Sequence, residues 1–143
     1  RYSFPACANR QVRMKQLTAR DVMTAPVVSM TPDRPLTEAL RLLLDQSISG
    51  LPVIDDEGRV VGILSEHDII NFVLDGQASN TTVAEAMTTD VVAFPPEAPV
   101  ESLANCFLSK RLRRVPVVEH GRLIGIVCRR DVLRELDRRY RGE

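Results

Sequence analysis

The sequence contains few of the residues on which many small domains depend. Tryptophan is absent, aromatic residues make up 4% of the 143 positions, and the three cysteines (Cys7, Cys106 and Cys128) are odd in number and scattered. A disulfide framework requires paired cysteines, so this set favours a reducing compartment, and we expect a cytoplasmic protein. No two of these cysteines and the two histidines, His67 and His120, lie at metal-ligand spacing, so we predict no metal site.

Net charge is also absent. The chain has 19 basic and 19 acidic side chains, which gives no general electrostatic reason to bind nucleic acid or a membrane surface. No apolar run approaches the roughly 20 residues of a membrane-spanning helix. The arginine-rich stretch 134–141 also contains Glu135 and Asp137, which favours a solvated helix end over a nucleic-acid surface. We therefore expect neither nucleic acid nor a membrane as a partner.

The charge is nevertheless uneven along the chain. Residues 17–75 carry four basic and ten acidic side chains, whereas residues 82–143 carry eleven basic and nine acidic ones. Residues 1–16 have no periodic pattern, and we expect a poorly ordered leader there.

The main positive feature of the sequence is an internal repeat. A shift of 64 residues superposes Met23 on Met87, Pro32 on Pro96 and 51–53 on 115–117. After a one-residue difference in a turn, a shift of 63 superposes Gly62 on Gly125 and Asp68 on Asp131. Turns accept such differences easily, so we interpret the chain as a tandem duplication. The predicted organisation is a leader at 1–16, a first copy at 17–75, a linker at 76–81, a second copy at 82–137 and a tail at 138–143.

In each copy the sequence pattern predicts the element order β-α-β-β-α. A helical turn precedes it, at 18–23 in the first copy and at 83–87 in the second. Strands are predicted at 27–30, 51–54 and 60–64 in the first copy, and at 91–94, 115–118 and 123–127 in the second. The predicted helices span 35–46 and 65–74, then 99–110 and 128–136. The first helix of each copy carries an apolar stripe: Leu36, Ala39, Leu40, Leu43 and Leu44, then Val100, Leu103, Ala104, Phe107 and Leu108.

A single copy of about 55–60 residues would be marginally stable alone. The expected fold class is therefore α/β (α+β), with two copies related by a pseudo-two-fold axis and packed sheet to sheet. The helices after Ser65 and Cys128 carry more apolar residues than one sheet face requires, which predicts a homodimer. Those residues are Ile69, Ile70, Phe72, Val73, Val132, Leu133 and Leu136.

The stretch 62–68 and its repeat 125–131 each predict a strand that leads directly into a helix. Ser65 and Asp68 fit a capping box, in which both side chains serve the helix N-terminus. The same two groups also suit a ligand, because a carboxylate accepts hydrogen bonds from a sugar diol and a helix N-terminus attracts phosphate. Ser65, His67 and Asp68 do not form a hydrolase triad, because they lie within one helical turn and neighbouring positions do not face each other.

The ordered pattern of both copies resembles a pair of CBS domains, also called a Bateman module, over roughly residues 17–137. Its motifs are Met-Thr, the amphipathic helix, Leu/Val-Pro-Val, Gly-Arg-x-x-Gly-Ile and Ser/Cys-x-x-Asp. The resemblance implies regulation rather than catalysis, with AMP, ADP, ATP or S-adenosylmethionine bound in clefts between the copies. It implies no catalytic cofactor and a homodimer. Because the sequence contains no effector domain, we expect the module to act on an unidentified regulated protein in trans.

The resemblance also implies which residues bind the ligand: an Asp of one copy holds the ribose, and strands of the other copy enclose the base. The favoured first cleft then consists of Thr24, Pro26, Val28, Ile48, Gly50, Cys128, Arg130 and Asp131. The second consists of Ser65, His67, Asp68, Thr88, Asp90, Val92, Leu112 and Arg114. Arg113 and Arg129 are further candidates for phosphate binding, because the planar guanidinium matches phosphate oxygens.

Two departures from the family pattern leave an alternative open. Cys128 replaces the usual Thr or Ser, and Arg114 stands where the first copy has Gly50. A structural or dimerising module with vestigial clefts would tolerate both changes. The first cleft is favoured because Asp131 is expected to lack a capping partner, and because Gly50 leaves more room than Arg114.

Overall fold

The computed structural model describes residues 17–74, 76, 80–110 and 112–142. The predicted leader at 1–16, which includes Cys7, lies outside the described residues. In chain order, the elements are α1 (Ala19–Val22), α2 (Leu36–Gln46), β1 (Gly50–Ile54), β2 (Val60–Ser65), α3 (Glu66–Leu74), α4 (Val83–Ala86), α5 (Val100–Lys110), β3 (Arg114–Glu119), β4 (Arg122–Cys128) and α6 (Arg129–Tyr140). Strand β1 pairs with β2 in an antiparallel sheet, and β3 pairs with β4 in a second two-stranded sheet. The mixed helix and strand class is therefore confirmed.

The first predicted strand of each copy is wrong. At 27–30 and 91–94 the structure has only single parallel bridges, from Met30 to Val53 and from Phe94 to Val117. A proline follows two residues after each bridge, and a proline has no N–H with which to extend a ladder. These segments therefore lie beside the sheets without becoming strands.

The two amphipathic helices bury only part of their predicted apolar stripes. In α2, Leu36, Ala39 and Leu43 are buried, whereas Leu44 is 70% exposed. In α5, Leu108, at the position equivalent to Leu44, is 81% exposed. The stripe predicted from spacing is thus wider than the face that packs within the described residues. Helix α6 continues to Tyr140, three residues into the predicted tail.

The chain forms two compact units that differ from the two sequence copies. Unit 1 comprises the described residues of Arg1–Pro26, Ala93–Glu119 and Ile124–Glu143, and unit 2 comprises Val27–Val92 and His120–Leu123. The leading segment of each copy is 17–26 in the first copy and 82–92 in the second. Each leading segment therefore belongs to the unit that holds most of the other copy's sheet.

Equivalent backbone bonds attach each leading segment. In unit 1, the N–H of Ala19 donates to the carbonyl of Ala98 at 2.8 Å. In unit 2, the N–H of Val83 donates to the carbonyl of Arg34 at 2.8 Å. The hydrophobic core of unit 2 includes Leu36, Leu43, Leu51, Val53, Leu64, Ile69 and Val83. In unit 1, the buried apolar side chains include Ala19, Val100, Leu103, Val115, Val117 and Val127.

Two glycines allow the leading segments to approach the sheets closely. A Cβ at Gly62 would lie 2.5 Å from Sδ of Met87, and a Cβ at Gly125 would lie 2.8 Å from Cγ of Met23. The residue after each methionine then pairs with a strand: Thr88 bridges to Ile63 and Thr24 bridges to Ile126. Each threonine thereby comes beside the strand that ends at Ser65 or Cys128. In the described part of the chain, every helix is too short or too polar to cross a bilayer.

Candidate ligand-binding site

In unit 2, the end of β2 and the start of α3 fix the carboxylate of Asp68. Its Oδ2 accepts hydrogen bonds from the backbone N–H of Ser65 at 2.9 Å and from the Ser65 hydroxyl at 3.0 Å. Its Oδ1 accepts a hydrogen bond from the Thr88 hydroxyl at 3.3 Å. We call Ser65, Glu66, His67, Asp68, Thr88 and Asp90 the Asp68 half-site.

In unit 1, the end of β4 and the start of α6 fix the carboxylate of Asp131. This residue is only 8% exposed. Its Oδ2 accepts a hydrogen bond from the backbone N–H of Cys128 at 2.7 Å, and its Oδ1 accepts one from the Arg134 guanidinium at 2.9 Å. Thr24 and Ile126 exchange backbone hydrogen bonds of 2.8 and 3.1 Å. We call Thr24, Arg113, Cys128, Arg129, Arg130 and Asp131 the Asp131 half-site.

Both acids make the backbone bond of a capping box, so the expectation that Asp131 lacks a capping partner was wrong. The donor is the backbone N–H of residue 128, and that N–H does not depend on which side chain the residue carries. This bond leaves room for a ligand, because two carboxylate oxygens offer about four acceptor positions. Capping and ligand binding are therefore compatible at both half-sites.

The thiol of Cys128 is half-buried beside Asp131. Burial raises the pKa of the Cys128 thiol, and the negative charge of Asp131 raises it further, whereas the positive charges of Arg114 and Arg134 lower it. The net effect is a pKa above the ordinary cysteine value. At neutral pH this thiol is protonated, so it is a weak hydrogen-bond donor and a poor nucleophile.

Three residues of the Asp131 half-site are arginines. The N–H of Arg129 donates to the carbonyl of Arg113 at 3.3 Å, which places the start of α6 beside the residue that precedes β3. The side chains of Arg113, Arg129 and Arg130 are exposed and form no ion pair with any described residue. They can therefore receive an anion without first losing a carboxylate partner.

The arginines at 138, 139 and 141 are paired instead. Arg138 and Arg139 both bind the buried carboxylate of Glu135, at 2.6 and 3.1 Å, and Arg141 binds Asp137 at 3.2 Å. These ion pairs reduce the positive charge that the stretch offers to nucleic acid. Among the described residues, no cluster of histidine, cysteine, aspartate and glutamate could hold a metal ion.

The predicted site residues are distributed over both units. From the first predicted cleft, Thr24, Pro26, Cys128, Arg130 and Asp131 lie in unit 1, and Val28, Ile48 and Gly50 lie in unit 2. From the second, Ser65, His67, Asp68, Thr88, Asp90 and Val92 lie in unit 2, and Leu112 and Arg114 lie in unit 1. Arg113 and Arg129, the further phosphate candidates, lie in unit 1. Arg114 is close enough to Cys128 to affect its pKa.

The sequence analysis did not predict the Arg134–Asp131 ion pair or two of the capping boxes. Arg134 was not predicted at the site, although its i+3 spacing from Asp131 is typical of a helical ion pair. Two further capping boxes, Thr18 with Asp21 and Thr82 with Glu85, hold α1 and α4 in place. Their repeated Thr-x-x-acid spacing is visible in the sequence and could have revealed them.

His67 does not lie between the Ser65 hydroxyl and the Asp68 carboxylate. Its side chain is exposed and forms no hydrogen bond with a described residue, whereas the Ser65 hydroxyl bonds directly to Asp68. A serine relay needs the imidazole between the hydroxyl and the carboxylate. The arrangement instead presents hydrogen-bond acceptors at two helix N-termini.

Comparison with known proteins shows the same repeat. The sequence model of the CBS domain matches residues 19–75 and 83–138. The structure resembles the CBS domain pair of protein MJ0100 in complex with 5′-methylthioadenosine and S-adenosyl-L-methionine, with a TM-score of 0.77, 27% identity, and coverage of 85% of this chain and 97% of that chain. It also resembles CBSX2 in complex with AMP, with a TM-score of 0.81, 29% identity, and coverage of 87% and 98%.

Curated relatives differ widely in length. Hypoxic response protein 1 of Mycobacterium tuberculosis is 33% identical over 83% of this chain and 85% of its own length. An uncharacterised protein of Methanocaldococcus jannaschii is 28% identical over 82% of this chain, which spans 42% of that relative. An inosine-5′-monophosphate dehydrogenase of the same organism is 33% identical over 81% of this chain, which spans 23% of that relative.

Proposed function

The chain belongs to the CBS domain family, and on this premise we propose that it is a regulatory module that binds an adenosine-containing ligand at the Asp131 and Asp68 half-sites. The candidate ligands are AMP, ADP, ATP and S-adenosylmethionine. The ligand acts as a regulatory signal and not as a catalytic cofactor. The regulated protein is a separate, unidentified partner.

The observation that carries this proposal is the equivalent placement of Asp68 and Asp131. Each acid accepts a hydrogen bond from the backbone N–H three residues earlier, at 2.9 Å in unit 2 and 2.7 Å in unit 1. AMP, 5′-methylthioadenosine and S-adenosyl-L-methionine, which similar structures contain, share one adenosine group. A fixed carboxylate suits the two ribose hydroxyls of that group, because it accepts a hydrogen bond from each.

The other predicted residues have supporting roles in the proposal. Arg113, Arg129 and Arg130 bind phosphates, since their guanidinium groups have no partner among the described residues. Val28, Ile48 and Gly50, together with Val92 and Leu112, stay predictions for enclosing the base. The Asp131 half-site remains the favoured one, because it carries these arginines.

Homodimerisation forms a second part of the proposal. Ile70 on α3 and Leu133 on α6 occupy equivalent positions of the two copies and are 57% and 60% exposed. A second copy of the chain would present the same two apolar faces, so each face could be covered by a face of the other copy. The alternative function, a structural module with vestigial clefts, would retain this dimer and lose ligand binding.

Thermal unfolding of the full chain with adenosine, AMP, ATP and S-adenosylmethionine tests the proposal. A ligand at 100 times its dissociation constant should stabilise the wild-type chain by about 2.7 kcal/mol. Asp131→Ala and Asp68→Ala should each remove one binding event by titration calorimetry, and the double variant should bind nothing. Wild-type protein that none of these compounds stabilises would favour the structural alternative.

A further inference from the structure

The two half-sites are built on the same backbone frame. In unit 2, the N–H of Glu66, the first residue of α3, donates to the carbonyl of Ser49, the residue before β1, at 2.9 Å. In unit 1, the N–H of Arg129, the first residue of α6, donates to the carbonyl of Arg113, the residue before β3, at 3.3 Å. The backbone N–H of the strand's last residue then donates to the acid in both units. Because both half-sites share this frame, differences between its side chains are one source of a difference between the two ligands.

Those side chains differ in the sign of their charge. Around Asp131 the frame carries Arg113, Arg129 and Arg130, and all three side chains are exposed. The equivalent positions around Asp68 carry Ser49, Glu66 and His67. Two residues beyond the bridging threonine, Pro26 in unit 1 corresponds to Asp90 in unit 2.

These charges are not neutralised within the described residues. Glu66 and Asp90 are exposed, and neither forms an ion pair there; the same holds for the three arginines. Arg129 and Arg130 directly precede Asp131, and Glu66 lies two residues before Asp68. Asp90 lies two residues after Thr88, whose hydroxyl bonds to Asp68. Exposed charges are largely screened only beyond the Debye length, about 8 Å at physiological salt, so charges on residues this close in the chain add at each half-site. The Asp131 half-site is therefore locally positive, and the Asp68 half-site is locally negative.

We propose that the two half-sites select adenosine ligands of different charge: an anionic nucleotide at one, and a neutral or cationic adenosine derivative at the other. The Asp131 half-site takes a nucleotide with a phosphate chain, because exposed guanidinium groups bind phosphate oxygens in pairs. The Asp68 half-site takes an adenosine derivative without phosphate, neutral or with a cationic substituent such as a sulfonium, because Glu66 and Asp90 repel phosphate. This inference rests on the proposed function, since it assumes that both half-sites bind adenosine.

Single-site variants of the full chain separate the two preferences. Asp68→Ala leaves the Asp131 half-site, which should bind ATP about 10- to 100-fold more tightly than adenosine, as expected for added charge-assisted hydrogen bonds. Asp131→Ala leaves the Asp68 half-site, which should bind adenosine and S-adenosylmethionine more tightly than ATP. Titration calorimetry without divalent cations measures all of these affinities.

Changing the charges should change the preference and leave adenosine binding intact. In the Asp68→Ala chain, Arg129→Gln with Arg130→Gln should weaken ATP binding about 10- to 100-fold without weakening adenosine binding. Arg41→Gln with Arg122→Gln is the matched control, since both arginines are exposed and lie outside the two half-sites. In the Asp131→Ala chain, Glu66→Gln with Asp90→Asn should strengthen ATP binding.

These experiments distinguish a failure of charge selection from a failure of the proposed function. If both single-site variants bind adenosine but rank ATP and adenosine alike, charge selection is overturned and the proposed function stands. Equal weakening of ATP and adenosine by the Arg129 and Arg130 changes also overturns charge selection. If wild-type protein binds neither adenosine nor any of its derivatives, both proposals fail together.

Discussion

The backbone N–H of Cys128 donates a hydrogen bond of 2.7 Å to Oδ2 of Asp131. The carboxylate lies in the first turn of α6, where helical N–H groups lack partners within the helix. Asp131 therefore stabilises the start of α6 even though residue 128 has no hydroxyl. The same acid is the proposed ribose ligand, so its structural and binding contributions have to be measured separately.

Asp131→Ala should lower the free energy of unfolding of the ligand-free chain by about 1–3 kcal/mol, because a bonded and buried carboxylate is lost. An exposed charge near a helix N-terminus would contribute only about 0.3–1 kcal/mol. Urea denaturation measures the difference. Asp137→Ala is the control, since Asp137 is exposed and its ion pair with Arg141 lies at the surface, and it should cost less than about 1 kcal/mol. Equal costs for the two variants would contradict the structural role of Asp131.

The thiol of Cys128 should react slowly with iodoacetamide at neutral pH, because burial and Asp131 raise its pKa. The rate should still be rising above pH 8.5, where an ordinary thiol, with a pKa of about 8.5, is half ionised. A chain with Cys7→Ser and Cys106→Ala isolates Cys128, since the sequence has three cysteines. A rate that reaches its plateau below pH 8.5 would show that the raised pKa is wrong.

The same shift predicts how stability depends on pH. A raised thiol pKa means that the folded chain holds this proton more tightly than the unfolded chain does. This contribution is complete below the unfolded pKa of about 8.5 and is lost as the pH rises through the higher folded value. Asp131→Asn removes the neighbouring negative charge, so it should lower the folded pKa of the thiol. The total loss of stability should then be smaller, because it still begins at the unfolded pKa and ends at a lower pH. Denaturation between pH 7 and 10, with Cys128→Ser as the reference, tests this.

Gly62→Ala should destabilise the chain by about 1–3 kcal/mol, because the new methyl group would overlap the Met87 side chain. Met87→Ala in the same chain should relieve the overlap, so the double variant should be more stable than the sum of the single changes by about 0.5–3 kcal/mol. Strict additivity would show that the close contact is not a constraint. Gly125 and Met23 supply an independent repetition of the experiment in unit 1.

Light scattering at micromolar concentration should give a particle of twice the 16.0 kDa chain mass. Ile70→Lys with Leu133→Lys should halve it, because two charges would be buried in the proposed interface. Thr37→Lys with Ser109→Lys adds the same charge at other exposed positions and should leave the dimer intact. A wild-type particle of a single chain mass would exclude the dimer.

The sequence alone determined the repeat, the family and most of the elements. The tandem copies follow from residue identities at shifts of 64 and 63, and these identities do not depend on packing. Local rules also located the helices: α2 begins directly after Pro35, and α5 begins directly after Pro99. The Ser65-x-x-Asp68 spacing predicted the helix cap, because a capping box joins residues that are close in the chain.

Tertiary structure alone decided which elements join which unit. Segments 27–30 and 91–94 have strand-like composition, but a strand needs a neighbouring ladder, and only single bridges form. The leading segments belong to the units that hold the other copy's sheet, an arrangement that depends on contacts between residues distant in sequence. Likewise, helical spacing places Leu44 and Leu108 on apolar stripes, whereas their exposure depends on what packs against each helix. Local patterns encode the elements, and long-range packing selects their neighbours.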